Sequence, residues 1–203
     1  MIVDIVASRR LNDRPAAQRA IRDAFADAAA IASPTRALWA TAGDEFQIEY
    51  ATPSQAFAAT GFVRIALAAS DLDVRFGIGA GDSRVIEHGE RGDVLDGSAW
   101  WRAREAIEEA ERRAGRSGSA RTWALGEGIT DADRAALLLR DQVIAQLAPR
   151  EHRIAAALLT GRTQKQIAVA EQISQSAVSQ AAARSGVNTL VHVQSLWLHP
   201  NDD

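Results

Sequence analysis

The sequence predicts an α+β fold, with a mostly antiparallel sheet carrying helices on one face, followed by an all-α C-terminal domain. Three observations predict it. Strand-type and helix-type patterns alternate in the order β-α-β-β-α-β-β-α-β over roughly the first 125 residues. A Gly-Asp pair between two alternating segments predicts a hairpin within this region. Beyond about residue 130, only helical spacing of apolar residues is found.

Length and composition indicate a globular protein. The 203 residues suffice for one large domain or two small ones, and 47% are hydrophobic and 24% charged. The absence of Cys excludes a disulfide scaffold, a thiolate zinc site and a thiol nucleophile, and it predicts a cytoplasmic location. Neither a signal peptide nor a membrane span is expected, because the first apolar run contains an acid and no run reaches about 18 apolar residues.

The first predicted strand, residues 2–7, carries a single acidic residue, Asp4. Four of the six residues are β-branched, which favours a strand. A buried carboxylate without a partner is costly, so a neutralising group is expected beside Asp4. The sequence leaves two candidates for it, a metal cation or an arginine such as Arg9 or Arg75.

The predicted hairpin covers residues 38–50, with Gly43-Asp44 as a two-residue turn. After the turn, Phe46, Ile48 and Tyr50 alternate with polar residues, as in a half-buried strand. A carboxylate at a hairpin tip is held rigidly beside exposed backbone amides, which suits a metal or a phosphate. The alternative is that Gly and Asp serve only the turn, where both are common.

The other elements of the first domain are predicted from the spacing of apolar residues and from the Gly and Pro residues that end helices and strands. The strand at 72–82 ends in three alternating glycines, which predict close approach of another backbone or of a ligand. The predicted helices cover 14–32, 53–69 and 98–113. Two further strands are predicted at 85–87 and 120–125, the second of them at an edge of the sheet. Residues 88–96 are predicted to form a flexible loop.

Four motifs in this region resemble those of nucleotide cyclases. Asp4-Ile5-Val6-Ala7-Ser8 resembles the first-strand D-I-V-G-S-T segment of class III cyclases, and Ala42-Gly43-Asp44 resembles their second metal-site hairpin. Gly43-Asp44-Glu45-Phe46 resembles the hairpin tip of diguanylate cyclases, and residues 75–82 resemble the strand R-x-G-I-x-x-G-E. Gly97 and the helix after it fall where cyclases carry G-D-x-V-N-x-A-A-R. The set is also similar to the SatD-like family, over roughly residues 1 to 125.

The resemblance implies a ferredoxin-like, nucleotide-cyclase-like sheet in which Asp4 and Asp44 hold Mg²⁺ together with a nucleotide. The sequence departs from the cyclases at three positions: Ala40 replaces the base-reading Lys, Trp101 replaces the Asn, and Glu105 replaces the catalytic Arg. We therefore expect a nucleotide or small-ligand pocket, and we assign no catalytic residue. Trp101 is expected either to stack on a base or to pack in the core. The implied ligand-binding residues are Ser8, Arg9, Gly43, Glu45, Arg75, Trp101 and Arg104.

The C-terminal part predicts a different kind of unit. We expect a cyclase-like domain at 1–127, a linker or dimerisation helix at 128–148, and a helix-turn-helix domain at 149–203. Within the last, two short helices at 164–170 and 175–184 flank the turn Gln172-Ile173-Ser174. Ala168 permits close helix crossing, and Ser174 is placed to cap the second helix. Glu171 and Gln172 stand where such motifs usually carry Leu and Gly.

The second short helix is predicted to read base edges in a DNA major groove. From Arg150 to Pro200 there are five cationic and two acidic residues, a net charge of +3 in a chain whose total is -3. This asymmetry suits phosphate contacts by this region alone. The alternative is a helical hairpin that serves protein contacts. The predicted DNA-binding residues are Arg162, Thr163, Gln164, Lys165, Ser174, Gln175, Ser176, Ser179, Gln180 and Arg184.

The sequence thus predicts a cytoplasmic DNA-binding transcriptional regulator, with double-stranded DNA and a second copy of the chain as partners. Its SatD-like domain is expected to sense a nucleotide or another small ligand. The first alternative is an active nucleotide cyclase or nucleotidyltransferase that uses metal at Asp4 and Asp44. The second alternative is a protein-interaction module without a DNA role.

Overall fold

The computed structural model describes residues 1–41, 44–89 and 92–199, and in these ranges the chain forms a mixed α+β fold. Five strands make one sheet in the order β2-β3-β1-β4-β7, and two more make a separate hairpin. The strands are β1 (Ile2–Ile5), β2 (Arg36–Ala40), β3 (Glu45–Glu49), β4 (Val74–Ala80), β5 (Arg84–Gly89), β6 (Gly92–Asp96) and β7 (Thr122–Gly126).

The helices lie close to the predicted positions. Side chains of Thr52, Thr130, Thr163 and Ser174 each accept a hydrogen bond from a backbone N–H in the first turn, which fixes where four of these helices begin. Within the described ranges, no helix has the length and apolar character needed to cross a bilayer. The helices are α1 (Arg14–Ala28), α2 (Pro53–Ala68), α3 (Ser98–Ser117), α4 (Asp131–Gln146), α5 (Pro149–Leu159), α6 (Gln164–Glu171), α7 (Gln175–Arg184) and α8 (Val187–Leu198).

Strand β1 lies at the centre of the main sheet. It pairs antiparallel with β3 on one side and with β4 on the other. The predicted edge strand is confirmed as β7, which pairs with β4 in parallel. Val3 and Ile5 are buried, as expected of a central strand.

The predicted placement of all helices on one face of the sheet is wrong. Val3, Phe46 and Phe76 pack on one face in a core shared with α1 and α2, whereas α3 packs on the other. Gly77 and Gly79 allow this, because a Cβ on either residue would overlap a backbone carbonyl oxygen of α3. The alternating glycines of β4 thus mark close approach of a helix backbone.

The prediction of a flexible loop at 88–96 is also wrong, because most of these residues belong to the β5–β6 hairpin. Residues 90 and 91 lie outside the described residues. Arg36 of β2 ties this hairpin to the main sheet by ion pairs with Asp93 (2.5 Å) and with Glu49 of β3 (3.0 Å). The hairpin depends on polar contacts that leave no hydrophobic period in the sequence, so the pattern did not reveal it.

Helix α2 contacts both the main sheet and the C-terminal helices. It packs against α1 and β4, and also against α4, α5 and α8. Phe57 of α2 meets Trp197 of α8 edge to face, with ring centroids 5.5 Å apart. One hydrophobic core therefore runs from β1 to α8 in the described residues. The domain boundaries at 127/128 and 148/149 stay a prediction.

A buried charged network joins α2, α4 and β7. Asp141 is fully buried and accepts hydrogen bonds from the backbone N–H groups of Arg121 and Thr122, both at 2.7 Å. Its Oδ1 also lies 2.9 Å from guanidinium nitrogens of both Arg64 and Arg140. Burial alone would raise the pKa of Asp141, but the two guanidiniums lower it, so this carboxylate stays charged.

Candidate functional site

The first candidate site lies where β1 ends and β4 begins. Asp4 stands in register with Glu45 of β3 and with Arg75 of β4, so these three side chains project from the same face of the sheet. Asp44 directly precedes Glu45 in the β2–β3 connection. Predicted site residues from β1, from the β2–β3 connection and from β4 therefore come together at one end of the sheet. We call this region, which contains Asp4, Asp44, Glu45 and Arg75, the acidic edge.

Two arginines already pair with carboxylates at the acidic edge. Arg75 Nη1 lies 3.2 Å from Asp4 Oδ2 and 2.9 Å from Glu111 Oε1 of α3. Arg104 of α3 donates two hydrogen bonds to the carboxylate of Glu45, one of them 2.8 Å long. Of the two arginines proposed for Asp4, Arg75 is the partner in the structure. Arg9 is exposed and forms no ion pair within the described residues.

Asp4 is held in an environment that disfavours its charge. Burial raises its pKa, and although Arg75 opposes this effect, the negative charges of Asp44, Glu111 and Glu45 raise the pKa further. The acidic edge carries four carboxylates against two guanidiniums, Arg75 and Arg104. This negative excess favours a cation there.

The donor set at the acidic edge fits a metal only in part. No group of three His, Cys, Asp or Glu side chains in the described residues can hold a metal ion. Asp4 and Asp44 offer two carboxylates, and Mg²⁺ commonly takes one or two carboxylates together with waters and substrate phosphates. These residues therefore suit a metal–phosphate ligand better than a metal bound by the protein alone.

The second candidate site consists of two short helices, α6 and α7, joined by Gln172-Ile173-Ser174. Buried Ile167, Ala168, Val178 and Ala182 belong to the same core. The Ile173 N–H donates to the Ala168 carbonyl at 3.0 Å, which closes the turn. Ser174 accepts from the Ala177 N–H at 3.1 Å, as its predicted capping position requires.

The two unusual residues of this turn have structural explanations. Gln172 takes the left-handed backbone conformation (φ 55°, ψ 45°) that usually favours Gly, and it ends α6. Glu171 pairs with Arg153 of α5 at 2.6 Å and with Arg150 at 3.8 Å. These ion pairs fasten α6 to α5 and hold the pKa of Glu171 low, chiefly through its hydrogen bond to Arg153.

The residues predicted to contact DNA are nearly all on the surface. Gln164 is half-buried, and the other nine are exposed. Ser174 and Ser176 share a hydrogen bond of 2.9 Å between their hydroxyls. Arg162, Lys165 and Arg184 form no ion pair within the described part of the chain, so their charges face solvent.

Comparison with known proteins identifies the family of this chain. A family model described as the SatD family matches residues 1–195. The chain belongs to the SatD family. The match runs from β1 into α8, so it includes both the acidic edge and the α6–α7 pair. No curated protein and no solved structure matches this SatD family member.

Other predicted ligand residues of this SatD family member are more dispersed. Trp101 is 65% exposed, and its Nε1 donates to Asp96 at 3.0 Å, so it does not pack in the core. Its neighbour Trp100 is buried against Trp39. Ser8 lies in the single 3-10 turn that follows β1. Gly43 lies outside the described residues.

Sequence reasoning missed one member of the acidic edge, Glu111. It pairs with Arg75 from the middle of α3. The sequence offered no signal for it, because Glu111 sits in a run of Glu and Arg residues typical of a solvated helix face. Only the packing of α3 on the glycine face of β4 brings Glu111 to the end of β1 in this SatD family member.

Asp4→Asn is expected to raise the free energy of unfolding at pH 7 by up to about 1 kcal/mol. Because its pKa is raised in the folded state, the charged form of Asp4 opposes folding, and the amide removes that charge. Urea unfolding followed by circular dichroism measures the change. Asp23→Asn, at an exposed position on α1, serves as the control and is expected to leave stability unchanged. Destabilisation by Asp4→Asn alone would mean that the ion pair with Arg75 outweighs the cost of burial.

Proposed function

We propose that this SatD family protein binds double-stranded DNA as a homodimer through a helix-turn-helix formed by α6 and α7. The sheet domain binds a nucleotide or another small ligand that regulates this binding. The observation that carries the proposal is the exposed, uncharged polar surface at the start of α7, made by Gln175, Ser176, Ser179 and Gln180.

The start of α7 has the chemistry needed to read bases. Glutamine can donate and accept at the major-groove edge of adenine, and serine can hydrogen-bond to several bases. Val178 and Ala182 face the core, so the opposite side of α7 is directed to solvent. The helix contains no acidic residue that would repel DNA.

The charges around α7 support phosphate binding. The two acids between residues 150 and 199 are both engaged within the protein. Glu151 accepts from the Ala148 N–H at 2.8 Å, and Glu171 is paired with arginines. Arg162 and Lys165 flank the start of α6, where the helix dipole also favours phosphate. These groups would fix the register of the protein on DNA, while α7 would provide specificity.

A dimer belongs to the proposal, since one short recognition helix reads too few bases for selective binding. A two-fold pair of α7 helices would read two half-sites about one helical turn, or roughly 34 Å, apart. A symmetric recognition sequence is therefore expected.

The acidic edge supports the ligand part of the proposal. Its negative excess suits Mg²⁺, and the metal would bring a nucleotide phosphate beside Arg75 and Arg104. Regulation requires that the ligand has different affinities for the DNA-bound and the free arrangements of the protein. Helix α2 offers a physical route, because it packs on β4 and on α4, α5 and α8.

Selection of genomic fragments by the purified full chain is expected to recover a symmetric site. The double variant Gln175→Ala/Ser179→Ala is expected to lose at least about tenfold in affinity for that site, because each base contact contributes about 1–3 kcal/mol. Gln146→Ala removes an exposed helical glutamine elsewhere and is expected to bind like the wild type. Fluorescence anisotropy with the recovered site measures both.

Salt dependence tests the phosphate contacts separately. If three cations per subunit contact phosphates, a dimer loses on the order of 10³ in affinity between 50 and 200 mM salt. Lys165→Gln is expected to weaken binding to all sequences alike and to flatten this dependence. Absence of any enriched fragment at low salt, with or without nucleotide and Mg²⁺, would overturn the DNA-binding proposal.

Asp4 and Asp44 also favour a second candidate function, an active nucleotide cyclase or nucleotidyltransferase. Two nearby carboxylates could hold the metal that phosphoryl transfer requires. Product formation from a labelled nucleotide, abolished in both Asp4→Ala and Asp44→Ala, would establish this function. Nucleotide binding without a product would support a sensing role.

A further inference from the structure

A cavity of about 310 Å³ lies between the sheet and the C-terminal helices. Its walls come from the end of α2, the start of β4, the α3–β7 connection, the end of α4, and α5. The volume is at the lower end of the range for small-molecule sites. Its polar lining residues include Arg64, Asp73, Ser119, Arg121 and His152.

Arg64 is the decisive residue of this cavity. It is more than nine-tenths buried, and its Nη1 lies 2.9 Å from Asp141 Oδ1 and 3.3 Å from the Asp141 carbonyl oxygen. Its Nε and Nη2 have no hydrogen-bond acceptor within the described residues. Among the described residues, the buried polar side-chain atoms without a partner are Tyr50 Oη and Arg113 Nε, so these two Arg64 nitrogens are accessible to solvent and open to an acceptor on a ligand.

The charge balance around Arg64 is positive. Arg64 and Arg140 share the single buried carboxylate of Asp141. Arg140 donates hydrogen bonds to Asp141, to the Phe57 carbonyl, and to the hydroxyls of Thr60 and Thr122. The two arginines and one carboxylate therefore form a cluster with a net positive charge, and Arg64 is the arginine of this cluster that lines the cavity.

A second guanidinium faces the same space. Arg121 pairs with Asp73 through Nε at 2.6 Å and donates from Nη1 to the carbonyls of Gly118 and Ala120. Its Nη2 has no acceptor in the described ranges. The other acid of the lining, Asp71, is exposed to solvent. A planar guanidinium with free N–H groups matches the geometry of a carboxylate or phosphate.

From this arrangement we infer that the cavity is a binding site for a small oxyanion, the carboxylate or phosphate group of a metabolite, held by Arg64 and Arg121. His152 of α5 forms part of the opposite wall. A bound anion would thus contact the sheet domain while lying against the first of the C-terminal helices. The site stands on its own geometry and does not depend on DNA binding.

Isothermal titration calorimetry of the full chain tests the site, with sodium phosphate and sodium acetate as separate probes at constant ionic strength. Saturable binding of one anion per chain is expected for at least one probe, and the tighter probe identifies the class of group. Arg64→Met is expected to reduce this affinity at least tenfold, because charge-assisted hydrogen bonds are lost.

A paired design keeps the test independent of any folding defect in Arg64→Met. Ala68 lies one helical turn after Arg64 and lines the cavity, so Ala68→Glu supplies a carboxylate from within the chain. Ala69→Glu adds the same charge at an exposed neighbouring position. Anion binding is expected to disappear in Ala68→Glu and persist in Ala69→Glu. Equal binding by these two variants, or no saturable binding by the wild type, would overturn the proposal.

Discussion

Gly79→Ala is expected to destabilise the protein by about 3 kcal/mol or more, the upper range for overpacking. The added Cβ would overlap the carbonyl oxygen of Ala99 and lie 2.5 Å from the Ala103 nitrogen, both backbone atoms of α3. A backbone cannot rotate away as a side chain can, so α3 must lift from β4. Urea unfolding of the variant and the wild type, followed by circular dichroism, measures the loss.

Gly115→Ala provides the matched control for this substitution. Gly115 lies in the last turns of α3, and a Cβ there has nothing within 4 Å. Alanine is the better helix former, so this variant is expected to gain about 0.5–1 kcal/mol. A wild-type unfolding midpoint for Gly79→Ala would show that α3 is not seated on β4 as the structure describes.

Asp141→Asn is expected to cost about 3–5 kcal/mol, since it leaves two buried guanidiniums without a carboxylate. The amide keeps the size of the side chain, so the loss reports charge and hydrogen bonding and not a cavity. Asp131→Asn is the control on the same helix. Asp131 is almost fully exposed, and its ion pair with Arg134 is expected to contribute less than about 1 kcal/mol.

The cost of Asp141→Asn is also expected to depend on pH. The folded protein lowers the pKa of Asp141. The charged carboxylate therefore stabilises the fold fully at any pH above the pKa of this carboxyl in the unfolded chain, about 3.9. That contribution is lost as the pH falls through the lower folded-state pKa. Unfolding free energies of variant and wild type should therefore converge in strong acid, and a constant difference would contradict a charge-based role.

Local patterns were sufficient to predict most elements of the fold. The β-branched run before Asp4 and the alternation of Phe46 and Ile48 predicted β1 and β3, and both occur. Helical spacing predicted α7 with the bounds that the structure has. These elements follow from periods in the sequence that each segment carries by itself.

What the sequence did not reveal depends on contacts between distant segments. Gly77 and Gly79 indicated close packing, yet only the tertiary structure identifies the approaching group as α3. The bidentate pairing of Arg104 with Glu45 joins residues 59 positions apart. No sequence pattern indicates a role for Arg64, because a single arginine in an apolar helix gives no periodic signal.

The shared position of α2 has a consequence for synthesis of the chain on the ribosome. Helix α2 ends at Ala68, but α8, which covers Phe57 through Trp197, is completed about 130 residues later. At roughly 5–20 residues per second, the apolar side of α2 stays uncovered for on the order of 10 seconds. During that interval the uncovered apolar surface of α2 is open to contact with other chains, and release of a chain truncated before α8 would leave an aggregation-prone surface.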